Sequence, residues 1–185
     1  MKILVIGDTH GKLNKVHDIM PKLTGLDLII HTGDYQRDGK LLQEMYHIPV
    51  VSVPGNCDGS YGREDFEIVE TEWGNIFVTH GHAQHVSYDL NRLMYAAMEQ
   101  GCQAAVFGHT HCSLVDEVDG FHLINPGSLT QPRDGSGGSY AIIRTTEDSF
   151  NASIVYYTTI MGGGRKGSGS NSGFIKNMLN YVDRF

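Results

Sequence analysis

The sequence predicts an α/β protein in which two sheets pack face to face with helices outside. Three observations lead there. The first third alternates short apolar runs with amphipathic segments, the β-loop-α rhythm of a parallel sheet. The remainder carries more short apolar runs, among them a pair joined by Asp119-Gly120, a strong two-residue hairpin signal. Finally, Asp, Asn and His gather just after several of the runs, where strands of an open α/β sheet end.

Residues 2–7 form a short strand that stops at Gly7, followed by a loop over Asp8 to Lys12. Leu13, Val16, Ile19 and Met20 recur at helical spacing, with Pro21 near that helix's end. Leu26 to His31 is a second strand, and Leu41, Leu42 and Met45 mark another helix. Val50 to Val53 is a third strand, ended by Pro54-Gly55. Phe66–Glu70 and Asn75–Thr79 read as a hairpin, and Leu90, Leu93, Met94, Ala97 and Met98 as a helical stripe. Ala104–Phe107 is a short strand, followed by strands over Ser113–Val118, Phe121–Ile124, Tyr140–Arg144 and Ala152–Thr158. Residues 1–160 thus make one domain. Residues 161–173 have the Gly/Ser-rich composition of a linker, and 174–185 a C-terminal amphipathic helix with Phe174, Ile175, Met178, Leu179 and Val182 on one face. The Gly-rich stretch lacks the Gly-Lys-Ser/Thr ending of a phosphate-binding loop.

A chain of 185 residues with net charge −7 is large enough for a sizeable core and too acidic for strong nucleic-acid binding. Cys57, Cys102 and Cys112 form no even disulfide framework, so a reducing compartment, the cytoplasm, is expected. The run Ile3 to Ile6 is too short for a signal-peptide core, and no apolar stretch approaches the length of a membrane span.

Chemistry concentrates at five strand ends: Gly7-Asp8-Thr9-His10-Gly11, His31-Thr32-Gly33-Asp34, Gly55-Asn56-Cys57-Asp58, His80-Gly81-His82 and Gly108-His109-Thr110-His111. Asp8 and Asp34 offer hard carboxylate oxygens, Asn56 a carbonyl oxygen, and His10, His80, His109 and His111 imidazole nitrogens. Such mixed sets suit divalent Mn, Fe, Ni, Co or Zn. In Asp8-Thr9-His10 and His109-Thr110-His111, alternate residues of an extended chain would face one crevice. His31 and His47 lack matching partners and read as ordinary structural residues, and His17, His85 and His122 stay unassigned.

The ordered series Asp8-x-His10, Gly33-Asp34, Gly55-Asn56-x-Asp58, His80-Gly81-His82 and Gly108-His109-x-His111 resembles the calcineurin-like metallophosphoesterase superfamily. GNCD, THGH, FGHTH and INPGS together resemble its small YfcE-type prokaryotic phosphodiesterase branch, over about residues 1–158. The resemblance implies a four-layer α/β/β/α sandwich with two packed mixed sheets. It also implies two divalent ions, manganese foremost: Asp8, His10 and His111 hold the first, Asn56, His80 and His109 the second, and Asp34 bridges them. The expected reaction is hydrolysis of a small phosphate ester, a diester foremost, by a hydroxide generated at the ion pair. Self-association as a homo-oligomer is a further implication.

Cys57 stands where many relatives have a histidine that assists the leaving group. A thiol is a poor general acid, so Cys57 reads as a substitute lining the substrate position, with a nucleophilic or metal-ligating thiolate as the alternatives. Asp58 thereby loses its usual partner and is left to orient the loop. His82 is a candidate for contacting phosphate or orienting His80, and Asn56 for contacting substrate as well as metal. Ser128 and Arg133, near the INPGS loop, are candidates for touching substrate, against ordinary loop chemistry. Arg37 sits one place early against the GDYVDRG pattern of larger phosphatases and inherits no phosphate contact. The competing functions are a phosphomonoesterase or pyrophosphohydrolase using the same metals, and a non-catalytic scaffold like the phosphoesterase-fold subunit of retromer.

Overall fold

Burial of both faces of the first strand shows how four layers arise. Ile3 and Val5 face one way and Leu4 and Ile6 the other, and all four are almost wholly enclosed. A strand whose two faces are both apolar needs a layer on each side. The computed structural model describes residues 1–59 and 65–162, so the expected linker beyond Gly162 and the helix over 174–185 lie outside the described residues.

The chain runs β1 (Lys2–Ile6), α1 (Asn14–Ile19), β2 (Leu28–His31), α2 (Gln36–Tyr46), β3 (Val50–Ser52), β4 (Phe66–Glu70), β5 (Asn75–Thr79), α3 (Asn91–Glu99), β6 (Ala104–Val106), β7 (Ser113–Val118), β8 (Phe121–Pro126), β9 (Ser139–Thr146), β10 (Ser149–Tyr156) and α4 (Tyr157–Ile160). One sheet has the order β10-β9-β1-β2-β3 and the other β4-β5-β6-β8-β7. Both are mixed: β1, β2 and β3 are parallel with β9 and β10 antiparallel, and β5, β6 and β8 are parallel with antiparallel edges.

Three apolar clusters define the layers. Between the sheets lie Ile3, Val5 and Ile30 from one and Ile76, Val78, Val106 and Ile124 from the other. Val16, Ile19 and Leu42 of α1 and α2 cover Leu4, Ile6 and Ile29 on the outer face of the first sheet. Leu93 and Ala97 of α3 cover Phe77, Ala105 and Leu123 on the outer face of the second. The expected four-layer α/β/β/α sandwich is present.

Two elements depart from expectation. Helix α2 turns Leu41 and Met45 outward, at 47% and 55% exposure, and buries Leu42 alone of the three. Its inner face is Asp38, Gly39 and Leu42. A Cβ on Gly39 would stand 2.8 Å from the Ser52 hydroxyl, so the helix seats on β3 through a residue without a side chain. The last strand ends at Tyr156 rather than Thr158, and Tyr157 starts α4. There its hydroxyl donates to Asp18 at 2.6 Å and the Lys15 ammonium lies 4.9 Å from its ring centre.

Candidate metal centre

All seven expected ligands follow the carboxyl ends of parallel strands: Asp8 and His10 after β1, Asp34 after β2, Asn56 after β3, His80 after β5, His109 and His111 after β6. Because the two sheets face each other, these ends meet in one crevice. The loops do not run extended as expected. Asp8, His10, Asp34, His109 and His111 all have positive φ, between 49° and 68°. Left-handed backbone costs a non-glycine residue of order 1 kcal/mol or more, and here it turns both members of each His/Asp pair into the crevice. Crossing loops also demand glycine. At Gly33, with φ of 99°, a Cβ would stand 2.8 Å from Nδ1 of His80, and at Gly55 it would fall on the Asp34 carboxylate.

The ligand atoms of Asp8, His10, Asp34 and His111 lie within 4.8 Å of one another. Nε2 of His111 is 3.3 Å from Oδ1 of Asp8 and 3.4 Å from Nε2 of His10, which is 3.7 Å from Oδ2 of Asp34. Beside them, Oδ1 of Asn56 is 2.9 Å from Nε2 of His80 and 3.0 Å from Nδ1 of His109. Oδ1 of Asp34 lies 3.5 Å from Nε2 of His80. The two carboxylate oxygens of Asp34 therefore face different halves of the cluster. Adjacent donors on an octahedral ion with bonds of about 2.1 Å lie about 3 Å apart, the spacing seen around Asn56.

Proton placement shows that the residues fit a cation. Nδ1 of His80 faces the Thr32 carbonyl at 2.8 Å, and Nδ1 of His111 faces the Gln131 carbonyl at 2.7 Å. A carbonyl only accepts, so each neutral ring carries its proton on Nδ1 and presents a lone pair at Nε2. Nε2 of His80 points at Asn56 and Asp34, and Nε2 of His111 at Asp8; burial alone would lower the His111 pKa, but Asp8 holds it above its ordinary value by favouring positive charge there. Acceptors gathered on acceptors repel unless a cation lies among them. A backbone carbonyl holding the far ring nitrogen is also the usual arrangement around a metal-bound histidine. Those two carbonyls could not be read from residue types.

The surrounding residues hold the loops. Asp58 accepts from three backbone N–H groups, those of Gly55 at 2.8 Å, Gln36 at 2.9 Å and Tyr35 at 3.1 Å. It thus ties the Asn56 loop to the start of α2, just after Asp34. Asp58→Ala should weaken divalent-metal binding about 10–100-fold in a metal titration, because three donors lose their acceptor and both loops loosen. Asn125 donates to the Gly108 carbonyl and the Thr110 hydroxyl, at 3.0 and 3.1 Å, beneath the His109 loop. Ser128 is wholly enclosed, and its hydroxyl donates to the Asp8 carbonyl at 3.0 Å. It supports β1's end from behind rather than facing substrate, which replaces the contact expected of it. Arg133 joins the same loop system through its N–H, 3.0 Å from the His111 carbonyl.

Cys57 is exposed, and its backbone N–H donates to Oδ1 of Asp34 at 2.9 Å. Partial desolvation, then the Asp34 carboxylate, push its thiol up to about 11. Burial alone would raise the Asp34 carboxyl, but the Cys57 N–H and the neighbouring His80 hold it below its ordinary value. His109 and His82 are both held below theirs, by burial first and then by His80. The His82 ring lies 5.3 Å from that of His80 and 6.3 Å from that of His109.

Sheet order and the donor groups gathered at the strand ends make a candidate metal centre of the kind expected in a phosphoesterase. The family model of the calcineurin-like phosphoesterase superfamily domain matches residues 1–148, and the chain belongs to that superfamily. Within it, the chain is 32% identical over 160 residues to the probable metallophosphoesterase YsnB of Bacillus subtilis, covering 85% of this chain and 90% of that one. It is 25% identical over 168 residues to the phosphodiesterase YfcE of Escherichia coli, covering 77% and 87%. A structure of Vps29 complexed with zinc from Entamoeba histolytica shares the fold, with a TM-score of 0.68, 21% identity, and 85% and 99% coverage. Among the described residues no helix is long and apolar enough to cross a membrane.

Proposed function

We propose that this chain is a dinuclear-metal-dependent phosphodiesterase, with Asp8, His10 and His111 on one ion, Asn56, His80 and His109 on the other, and Asp34 between them. The observation that carries the reading is Asp34, whose two oxygens face the two donor groups from within one buried carboxylate. Two such ions supply a water-derived nucleophile at neutral pH and charge neutralisation for a phosphate, which an acidic chain otherwise lacks. Manganese suits the mixed nitrogen and oxygen donors, as do Ni, Fe, Co and Zn.

The chain's own residues then bind and orient. The Asn56 side chain would hold the ion through its oxygen, leaving its amide N–H groups, now 3.5 Å from the Cys57 sulfur, to donate to a phosphate oxygen. His82, neutral beside two ligand histidines, donates a hydrogen bond to the phosphate or the departing oxygen. In this reading Cys57 neither attacks nor ligates: a water-derived nucleophile leaves it no attacking role, and a thiolate would break the nitrogen and oxygen donor set. Diester preference is supported by the likeness to YfcE, and a reducing cytoplasmic setting by three unpaired cysteines. Self-association remains part of the proposal as an implication of the family.

The test is hydrolysis of bis(p-nitrophenyl) phosphate and p-nitrophenyl phosphate in parallel, with and without Mn. Faster Mn-dependent turnover of the diester is expected. Faster turnover of the monoester would make the chain a phosphomonoesterase with the same site. No turnover of either, with metal bound and fold intact, would favour the scaffold. That second reading has the Vps29 likeness behind it, and a zinc-bound Vps29 means that metal binding alone does not separate the two.

A further inference from the structure

Beneath the candidate metal centre three side chains, none of them a proposed ligand, make a chain of hydrogen bonds. Thr9, His31 and Asp38 are 1%, 0% and 2% exposed. The Thr9 hydroxyl lies 2.6 Å from Oδ2 of Asp38 and 3.0 Å from Nε2 of His31. The same Asp38 oxygen accepts the Gly11 N–H at 2.9 Å, and Nδ1 of His31 faces the Gly33 N–H at 3.3 Å.

The chemistry fixes every direction. A carboxylate only accepts, so Thr9 donates its one hydroxyl proton to Asp38. Its oxygen is then free to accept, and Nε2 of His31 must carry the proton that it receives. Nδ1 of His31 is left with the lone pair that takes the Gly33 N–H. The ring is therefore neutral in one tautomer, which agrees with burial holding it below its ordinary pKa.

We infer that Asp38, Thr9 and His31 form a positioning relay that sets the Asp8–Gly11 loop against the Gly33-Asp34 loop, and so fixes His10 and Asp34 for metal binding. The inference rests on the metal-centre reading above. Its ends explain why. Thr9 stands between Asp8 and His10, Gly11 follows His10, and Gly33 precedes Asp34. Asp8, His10 and Asp34 each hold left-handed backbone, φ of about 50°, which costs energy and needs restraint from outside the loop. The relay supplies that restraint at Thr9, Gly11 and Gly33, the neighbours of all three. Each member is enclosed, so water does not replace a missing bond.

The full chain is titrated with Mn as wild type, Thr9→Val, Thr9→Ser and His31→Leu, with thermal unfolding of the metal-free proteins alongside. Outer partners of metal ligands are worth about 10–100-fold in affinity. Thr9→Val is expected to lose that much, chiefly at the ion held by Asp8, His10 and His111. Thr9→Ser, which keeps the hydroxyl, should recover most of the loss. His31→Leu, apolar at a wholly enclosed position, should shift affinity in the same direction and covers the case in which Thr9→Val does not fold. Nitrogen NMR of the metal-free wild type should show His31 protonated on Nε2 with a slowly exchanging ring proton, and Thr9→Val should lose that proton's protection. Unchanged Mn affinity in folded Thr9→Val or His31→Leu, even with a lower unfolding midpoint, would overturn the relay as a positioning device and leave the metal centre standing. Failure of the wild type to bind any of Mn, Ni, Fe, Co and Zn, with the His31 signature present, would instead overturn the metal-centre reading and the role given to the relay with it.

Discussion

Replacing Asp34 with asparagine should empty both halves of the site together. The side-chain shape is kept, and an amide oxygen can still accept the Cys57 N–H that now sits 2.9 Å from Oδ1. What goes is the charge shared between the His10 side and the His80 side. Losing an outer partner costs roughly 10–100-fold, so losing the only carboxylate common to both donor groups should cost hydrolysis about 10³-fold or more. Metal per chain, measured on dialysed protein, should fall for both ions. His10→Ala should instead act mainly on the ion held with Asp8 and His111, and His80→Ala mainly on the one held with Asn56 and His109. Full metal content and undiminished hydrolysis in Asp34→Asn would rule out the two-ion assignment.

Diesters with good leaving groups should be hydrolysed far faster than alkyl esters. At the position where the family resemblance implies a histidine, this chain has Cys57, and a thiol is a weaker general acid than an imidazolium. General-acid help is worth about 10²–10⁴-fold, and an aryl oxide that leaves unaided needs least of it. His82 is the remaining side chain placed to soften the contrast. Cys57→Ser should leave turnover of activated diesters nearly unchanged. Cys57→His should speed poor leaving groups, provided that the imidazole does not capture an ion. Near-complete loss of activity in Cys57→Ser with both ions bound would restore the thiol as a catalytic group.

Much of this was legible in residue order. The candidate donors Asp8, His10, Asp34, Asn56, His80, His109 and His111 could be picked out because each lies within a few residues of the end of an apolar run, so run, turn and donor are close in sequence. The layers were legible too, since the unbroken apolar run Ile3-Leu4-Val5-Ile6 is the local mark of a strand covered on both faces. Local pattern failed where the decision lay with a distant neighbour. Leu41 and Met45 look like core residues at helical spacing, yet α2 meets β3 through Gly39, because only a missing side chain lets the helix come so close. Likewise the ligand loops look extended, but their left-handed turns are held by hydrogen bonds from Asp38, Asp58 and Ser128, each far along the chain or on another element.

The sequence by itself determined which donor atoms are available, and therefore the class of ion and of chemistry proposed for the site. Ligand identity is a property of single side chains, and strand-end placement is a property of short segments. Only the tertiary structure decided what each donor faces. That Asp34 looks both ways, that Thr32 and Gln131 take the far protons of His80 and His111, and that His31 joins Thr9 to Gly33 all depend on backbone groups meeting across the sandwich. Every residue but proline carries the same N–H and C=O, so residue types say nothing about which of them will meet.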